Sequence, residues 1–173
     1  MIPHSAVVGD VHVRRLAPDD GSALEVFFAE LDDYVALFGA AESSAAVTTY
    51  IALPEGKSYD DKYLFGVWSA DERLVGAIDL VVDYPHVDVW TVGLVVLAID
   101  ERGRGVGTRL MDWLMVIARG EGAHSVRIAP RQDNSRCAHF LRGLGFTSVR
   151  GSRERETVVF ERGVDDWKSL TIC

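Results

Sequence analysis

The sequence predicts an α/β (α+β) fold in which one mixed sheet carries helices on its faces. Three observations predict it: runs of apolar or alternating residues typical of strands, stretches with apolar residues at helical spacing, and turn-forming glycines and prolines between these segments. In chain order the predicted elements are β-α-α-β-β-β-α-β-α-β-β, and they lie within a core of about residues 11–161.

The first half of the chain supplies a strand, two helices and a hairpin. Residues 11–16 alternate as a strand does, and a helix then begins after Pro18. The apolar residues on one face of this helix are Leu24, Phe27, Phe28 and Leu31. A second short helix is predicted over residues 44–53, and residues 63–69 and 74–82 form a hairpin.

The most apolar strand of the chain comes next and leads into a glycine-rich turn. This strand, residues 89–97, is predicted to be covered on both faces. A long amphipathic helix follows from Val106 to Gly120, and residues 125–129 form a further strand.

The last predicted elements are a short helix and a closing hairpin. Asn134 or Ser135 caps the helix, and Gly145 ends it in the left-handed conformation. Residues 146–149 and 157–161 form the hairpin.

Length, composition and charge indicate one acidic domain. The 173 residues match one average domain, so residues 1–173 are predicted to form a single domain, as a monomer or homodimer. Its C-terminal tail, residues 163–173, is expected to be frayed or to contact a second copy. The 26 acidic and 18 basic side chains give a net charge of −8, which disfavours nucleic acid as a partner. The surplus of acidic side chains attracts cationic amines specifically only where several of them form a local patch.

The sequence also predicts a cytoplasmic protein without a membrane partner or a metal. Cys137 and Cys173 are too few for a cysteine-rich zinc site and indicate a reducing compartment. The first residues lack the basic segment and apolar run of a secretory signal. The longest apolar run, residues 89–99, is shorter than the about 20 residues of a membrane-spanning helix.

The turn before the long helix has the features of an anion site. It reads Arg102-Gly103-Arg104-Gly105-Val106-Gly107-Thr108. Its glycines permit a tight turn with exposed amides, the helix N-terminus attracts anions, and two arginines add positive charge. A flexible turn that binds nothing is the alternative. The spacing fits neither the dinucleotide fingerprint, whose third glycine would come one residue later, nor a Walker loop, which needs a lysine.

This turn resembles the motif Q/R-x-x-G-x-G/A of the GNAT N-acetyltransferase superfamily, with Arg102, Gly105 and Gly107 at the defining positions. Residues 134–146 read NSRCAHFLRGLGF and are similar to a second family signature, N-x-x-A-x-x-F-Y-x-x-x-G-F. The order of elements resembles that of the family over nearly the whole chain. The resemblance implies a GNAT-like mixed, mostly antiparallel sheet with helices on both faces.

The resemblance also implies where acetyl-CoA, or another acyl-CoA, would bind. Its pyrophosphate would lie on the amides of residues 103–108 and its pantetheine arm along the backbone of Val95 and Leu97, with an oxyanion donor near Leu97. Asn134 matches a family asparagine that contacts the cofactor arm, and it also suits a simple helix cap. The cofactor-binding residues implied are Val95, Leu97, Arg102, Gly103, Arg104, Gly105, Val106, Gly107, Thr108 and Asn134.

Three side chains are candidates for the catalytic base or its water relay. Many family members use a glutamate at the position of Thr91, whose hydroxyl can hold a relaying water but is no base at neutral pH. Asp79 lies in an apolar strand, where burial would raise its pKa toward the useful range. A carboxylate hydrogen-bonded within the sheet is the alternative for Asp79. Asp83 is a third candidate, although Asp83 and Asp88 also fit a solvated turn.

The usual general acid of the family is missing. Family members often have a tyrosine directly after the helix phenylalanine, and here that residue is Leu141. Cys137, one turn earlier on the same face, is either a substitute acid or a buried structural cysteine. His139 is predicted to be exposed. Because thiols leave with a pKa of about 8.5, a dedicated acid helps but is not required.

The acceptor is expected near residues 32–42, 83–88 and 150–155. Acidic and aromatic side chains on or near two of these segments suit a cationic amine or serve solubility; they are Asp32, Asp33, Tyr34, Asp83, Tyr84, Asp88 and Trp90. We therefore expect direct transfer of acetyl from acetyl-CoA to a primary amine of a small molecule or peptide. The other interpretations are an acyl-CoA-binding sensor without turnover and a structural domain whose loop binds nothing.

Overall fold

The computed structural model describes residues 1–31, 52–149 and 157–168. The strands are β1 (Ser5–Val8), β2 (Val11–Arg15), β3 (Lys62–Trp68), β4 (Leu74–Val81), β5 (Val89–Leu97), β6 (Ser125–Ile128), β7 (Thr147–Val149) and β8 (Val159–Gly163). The helices are α1 (Gly21–Ala29), α2 (Val106–Gly120) and α3 (Ser135–Gly143), and two 3₁₀ turns span Pro18–Asp20 and Ile99–Glu101. Outside the described residues lie Leu170, Cys173, the segments 32–42 and 150–155, and all but the end of the predicted helix over residues 44–53.

The eight strands form one sheet in the order β1-β2-β3-β4-β5-β6-β8-β7. Neighbouring strands are antiparallel except for β5 and β6, which are parallel. A parallel pair needs a long crossover connection, and α2 supplies it. The predicted mixed, mostly antiparallel sheet is confirmed.

The N-terminal strand β1 was not predicted. It pairs with β2 from Ser5↔Arg14 to Val8↔Val11, so that Gly9 and Asp10 form a two-residue turn. The strand has only four residues, and Val7 is 68% exposed, so its apolar pattern is too short and too weak to be read from sequence. The Gly-Asp pair before β2 was the available signal, because such pairs connect hairpins.

Helix α2 is held at the end of β5 by its apolar face. Its buried residues recur at helical spacing; they are Val106, Leu110, Met111, Leu114, Met115 and Ala118. Trp113, also on α2, packs edge-on against Phe65 of β3, with 5.3 Å between the ring centroids. These contacts fix the N-terminus of α2 and therefore the glycine-rich turn. None of the helices in the described ranges is long and apolar enough to cross a membrane.

Strand β5 is covered on both faces only in its first half, which corrects the prediction for residues 89–97. Its pairing with β6 runs from Val89↔Ser125 to Val92↔Ile128 and stops there because β6 ends. Beyond this point Gly93 is exposed and residues 94–96 are half-buried. Within the described residues, β5 from Gly93 to Leu97 thus has a strand partner, β4, on one side only. We call this opening between β5 and β6 the split.

Two residues at the start of the predicted C-terminal tail belong to the core. Gly163 is the last residue of β8, and Val164 and Trp167 are buried. The Trp167 indole Nε1 donates a 2.7 Å hydrogen bond to Asp112 Oδ1 on α2. The folded core therefore extends to Trp167, beyond the predicted boundary at residue 161, while the rest of the expectation for the tail, from residue 169 on, lies outside the described residues.

We expect Trp167→Phe to lower the free energy of unfolding by about 1–2 kcal/mol, because it removes a buried hydrogen bond and some packed surface. Denaturant unfolding followed by circular dichroism measures the change. Tyr59→Phe is the matched control, since it removes one polar group from a 66% exposed aromatic residue. Equal stabilities of the two variants would show that the segment after β8 does not contribute to the core.

Candidate active site

The glycine-rich turn has the backbone conformation of an anion cradle. Gly103 and Gly105 have φ angles of +75° and +78°, which residues with a side chain rarely adopt. A Cβ atom at Gly103 would meet nothing within 4 Å, so the turn is open at that point. The first amide to enter the helical ladder of α2 is that of Arg109, which donates to the Gly105 carbonyl over 3.1 Å. The amides before it are the N-terminal ones, which a helix leaves without acceptors of its own.

Two arginines that were predicted to attract the anion also hold the turn in place. Arg102 Nε donates a 2.8 Å hydrogen bond to the Leu97 carbonyl and thereby ties the turn to the end of β5. Arg104 forms a 3.0 Å ion pair with Glu101, which is buried. The side chain of Arg104 is nevertheless 57% exposed, so its charge acts at the surface of the turn.

A third arginine, Arg109, was missed by the sequence analysis. Its Nη1 donates to the Arg104 carbonyl over 3.3 Å, and its Nη2 pairs with Asp10 in the β1–β2 turn. Gly9 makes this contact possible, because a Cβ atom there would lie 2.5 Å from Arg109 Nε. The unpredicted N-terminal hairpin therefore braces the turn. Arg109 is the second residue after the motif, but only the fold brings Asp10 to it.

Helix α3 lies against the same turn. Asn134 caps α3, since its Oδ1 accepts a 3.0 Å hydrogen bond from the Cys137 amide. A Cβ atom at Gly107 would lie 3.5 Å from Phe140 Cζ and 3.7 Å from Leu97 Cδ1. The N-terminus of α2, the end of β5 and α3 therefore meet around Gly107. The cap role of Asn134 is confirmed, and its contact with a cofactor stays a prediction.

At the other end of the split, Asp79 lies beside a bulge in β5. The register pairs Asp79 with Leu94 and Leu80 with Val92, which leaves Gly93 as the extra residue. A Cβ atom at Gly93 would lie 2.5 Å from Asp79 Oδ2, so this carboxylate oxygen is packed over the glycine. Its Oδ1 forms a 2.8 Å ion pair with Lys62 Nζ.

The environment of Asp79 changes its acidity in two opposing ways. Burial raises its pKa above the usual value for an aspartate, and the hydrogen bond and charge of Lys62 act against this rise. The net direction is upward. The sequence argument had expected a buried carboxylate here, and had not identified Lys62 or Gly93 as its neighbours.

Thr91 shares a face of the sheet with Asp79, a relation that the sequence could not decide. Thr91 pairs with Val81, which is two residues from Asp79 on β4 and therefore on the same face. The Thr91 hydroxyl donates a 2.6 Å hydrogen bond to the Tyr84 carbonyl. Its role in relaying a proton stays a prediction.

Asp83 belongs to the turn between β4 and β5. It has a φ angle of +52°, is exposed, and accepts a 2.9 Å hydrogen bond from the Asp88 amide through Oδ1. This arrangement is the solvated turn that was the alternative for both aspartates. Trp90 is 4% exposed in the core, so the expectation that it lines an acceptor site is wrong.

A family model described as the acetyltransferase (GNAT) family matches residues 26–146, which is well over half of the chain. The chain belongs to the GNAT acetyltransferase family. It is accordingly an acyltransferase, of a family that uses acetyl-CoA and acts on amine acceptors. No curated protein sequence matches the chain significantly.

Solved acetyltransferase structures share the fold. An acetyltransferase from Thermus thermophilus is 21% identical, covers 91% of this chain and 99% of its own, and has a TM-score of 0.71. The ribosomal-protein-S5-alanine acetyltransferase from Vibrio fischeri is 16% identical and has a TM-score of 0.66. The match covers 95% of this chain and 98% of the Vibrio chain. The PaiA N-acetyltransferase from Thermoplasma acidophilum, in complex with coenzyme A, is 17% identical and has a TM-score of 0.67. The match covers 88% of this chain and 98% of the Thermoplasma chain.

The acid position of this GNAT acetyltransferase carries a buried leucine, Leu141, on α3. Cys137 is half-buried, and burial raises the pKa of its thiol. His139 is exposed, as predicted. Neither Leu141 nor Cys137 therefore has the properties of an efficient proton donor near neutral pH.

Proposed function

We propose that this protein transfers an acetyl group from acetyl-CoA directly to a primary amine of a small molecule or peptide. One observation carries the proposal: the split runs from the glycine-rich turn to Gly93, where a buried carboxylate lies at its inner end. An anion cradle, an open strand edge and a candidate base thus occur in one line along β5.

The residues of the turn suit the pyrophosphate of acetyl-CoA. Gly103 is open, Gly105 has a left-handed conformation, and the first amides of α2 lack intrahelical acceptors, so a phosphate can approach the backbone closely. The open edge of β5, which includes Val95 and Leu97, would accommodate the extended pantetheine arm. When bound, acetyl-CoA supplies an activated thioester carbonyl.

Asp79 is the proposed general base. A primary amine with a pKa of about 10 enters as an ammonium ion and must lose a proton before it attacks a carbonyl carbon. Asp79 Oδ2 lies over exposed Gly93 and can take that proton. Its raised pKa makes it a stronger base than a solvated aspartate.

The leaving thiolate does not need a dedicated proton donor in this proposal. A thiol with a pKa of about 8.5 is a good leaving group near neutral pH. The replacement of the usual tyrosine by Leu141 is therefore compatible with turnover. An acyl-CoA-binding sensor remains the alternative that the same replacement would suit.

Thiol release from acetyl-CoA, measured against a panel of amines, tests the proposal. The panel should include small diamines, amino sugars and peptides with a free N-terminus, since one fold neighbour is named for acetylation of a ribosomal-protein alanine. We expect release that depends on one acceptor class, with the acetylated amine detected by mass spectrometry. Binding of CoA without turnover on any acceptor would contradict acetyl transfer and support the acyl-CoA-binding sensor.

The cytoplasmic location of the protein stays a prediction.

A further inference from the structure

Lys62 and Asp79 form a buried ion pair in the middle of the sheet. Nζ and Oδ1 are 2.8 Å apart, and the two side chains are 2% and 11% exposed. Removing two charges from water is costly, and apolar residues of similar size would stabilise a sheet at least as well. The pair therefore indicates a role beyond folding.

The two oxygens of Asp79 have different surroundings. Oδ1 is held by Lys62, whereas Oδ2 lies over Gly93, whose backbone is exposed at the start of the split. A side chain at position 93 would occupy the place of Oδ2, because even a Cβ atom would approach it to 2.5 Å. One oxygen thus pairs with Lys62, and the other lies over the residue at which the split begins.

The bulge brings the buried carboxylate next to the residue at which the split begins. Gly93 is the unpaired residue between Val92, the last residue of β5 that pairs with β6, and Leu94, which pairs with Asp79. The place where β5 leaves β6 is therefore the place where Asp79 meets β5. Bulges are frequent next to active sites.

We propose that Lys62 is a positioning residue, which together with the cradle at Gly93 holds Asp79 so that Oδ2 accepts the proton of the acceptor ammonium. This role rests on the proposed function. The first proton passes from the ammonium nitrogen to Oδ2, and the freed lone pair forms the new C–N bond. The C–S bond then breaks, CoA leaves as a thiolate, and the second nitrogen proton passes to that thiolate. Lys62 balances the charge of the carboxylate before the transfer.

Lys62 should also set the pH at which Asp79 becomes active. Among the described residues, Lys62 on β3 is the charged group that faces Asp79, while β5 contributes Gly93 and Leu94. Lys62 lowers the pKa of Asp79 and burial raises it. Removal of the Lys62 charge therefore moves the acidic limb of the kcat profile to higher pH.

The test compares Lys62→Met, Lys62→Arg, Asp79→Asn and the double variant Lys62→Met/Asp79→Asn. We expect Lys62→Met to shift the acidic limb upward by about one pH unit and to lower kcat at pH 7 about tenfold, with the Kd for CoA unchanged. Lys62→Arg keeps the positive charge and should therefore have an acidic limb and a kcat at pH 7 close to those of the wild type. The double variant should be no slower than Asp79→Asn, because Lys62 acts through Asp79. Lys168→Met, which removes an exposed lysine, is the control and should match the wild type.

Two results would overturn the role of Lys62 alone: an unshifted pH profile in an active Lys62→Met protein, or losses that add in the double variant. If Lys62→Met does not fold, Gly93→Ala replaces it, since the added Cβ displaces Oδ2 without removing a charge. That variant should lower kcat and leave the Kd for CoA unchanged, and unchanged kcat would contradict the cradle. Wild-type protein without turnover on any acceptor would instead contradict the proposed function itself.

Discussion

Asp79→Asn is expected to lower kcat about 100-fold or more, which is the usual contribution of a positioned general base. The amide has nearly the shape of the carboxylate and can lie between Lys62 and Gly93 in the same way. It has no affinity for a proton near neutral pH, so the acceptor would have to lose its proton to water. The Kd for CoA should not change, because the proposed pyrophosphate site lies at the other end of the split.

The pH dependence of kcat gives the sharper measurement. In the wild type the rate should fall as the pH drops through the raised pKa of Asp79, and in Asp79→Asn this limb should disappear. Asp165→Asn, an exposed aspartate after β8, is the matched control. A normal rate and profile in Asp79→Asn would remove Asp79 as the base. A loss in Asp83→Asn instead would transfer the role to the β4–β5 turn.

The same titration affects stability in a known direction. Because the folded pKa of Asp79 is above its unfolded value, the folded state binds this proton more tightly. Its contribution to stability is fully present below the unfolded pKa and is lost as the pH rises through the folded pKa. The stability of Asp79→Asn, measured by thermal unfolding at several pH values, should lack the pH-dependent contribution of Asp79. The same measurement shows whether the variant folds when the partner of Lys62 is a neutral amide.

The sequence predicted the elements that carry the site, because their signals are local. The apolar run of β5, the glycines of the turn and the helical spacing of α2 are each contained within about one element. The cap at Asn134 and the left-handed Gly145, with a φ angle of +76°, were predicted for the same reason. Motifs of this kind report backbone conformation directly.

The surroundings of Asp79 could not be predicted, because they depend on the register of the strands. Lys62 reaches Asp79 only through the pairing of β3 with β4, and Gly93 lies under Asp79 only because β5 bulges there. A one-residue slip would place Asp79 on the other face. The glycine inside the most apolar strand was a usable signal, since an isolated strand glycine often marks a bulge. The split itself exists because β6 is four residues long, a boundary that sequence patterns locate poorly.

Gly105→Val is expected to weaken CoA binding roughly five- to thirtyfold. The φ angle of +78° at this position costs a residue with a side chain about 1–2 kcal/mol, and each 1.4 kcal/mol corresponds to about tenfold in affinity. The Cβ atom would also lie 3.4 Å from Arg109 Nη1, so a β-branched side chain presses on the arginine that braces the turn. Either the turn keeps its strained conformation, or it relaxes and its amides no longer converge on the pyrophosphate.

Isothermal titration with CoA measures the affinity directly. The increase in Tm at a fixed excess of CoA gives an independent reading, because a ligand stabilises the folded state by RT ln(1 + [L]/Kd). Gly120→Val is the matched control: Gly120 ends α2, and a Cβ atom there meets nothing within 4 Å. Full affinity in Gly105→Val would overturn the assignment of the turn as the pyrophosphate site. Loss of affinity with an unchanged kcat at saturating acetyl-CoA would instead separate the two ends of the split, with binding at the turn and proton transfer at Asp79.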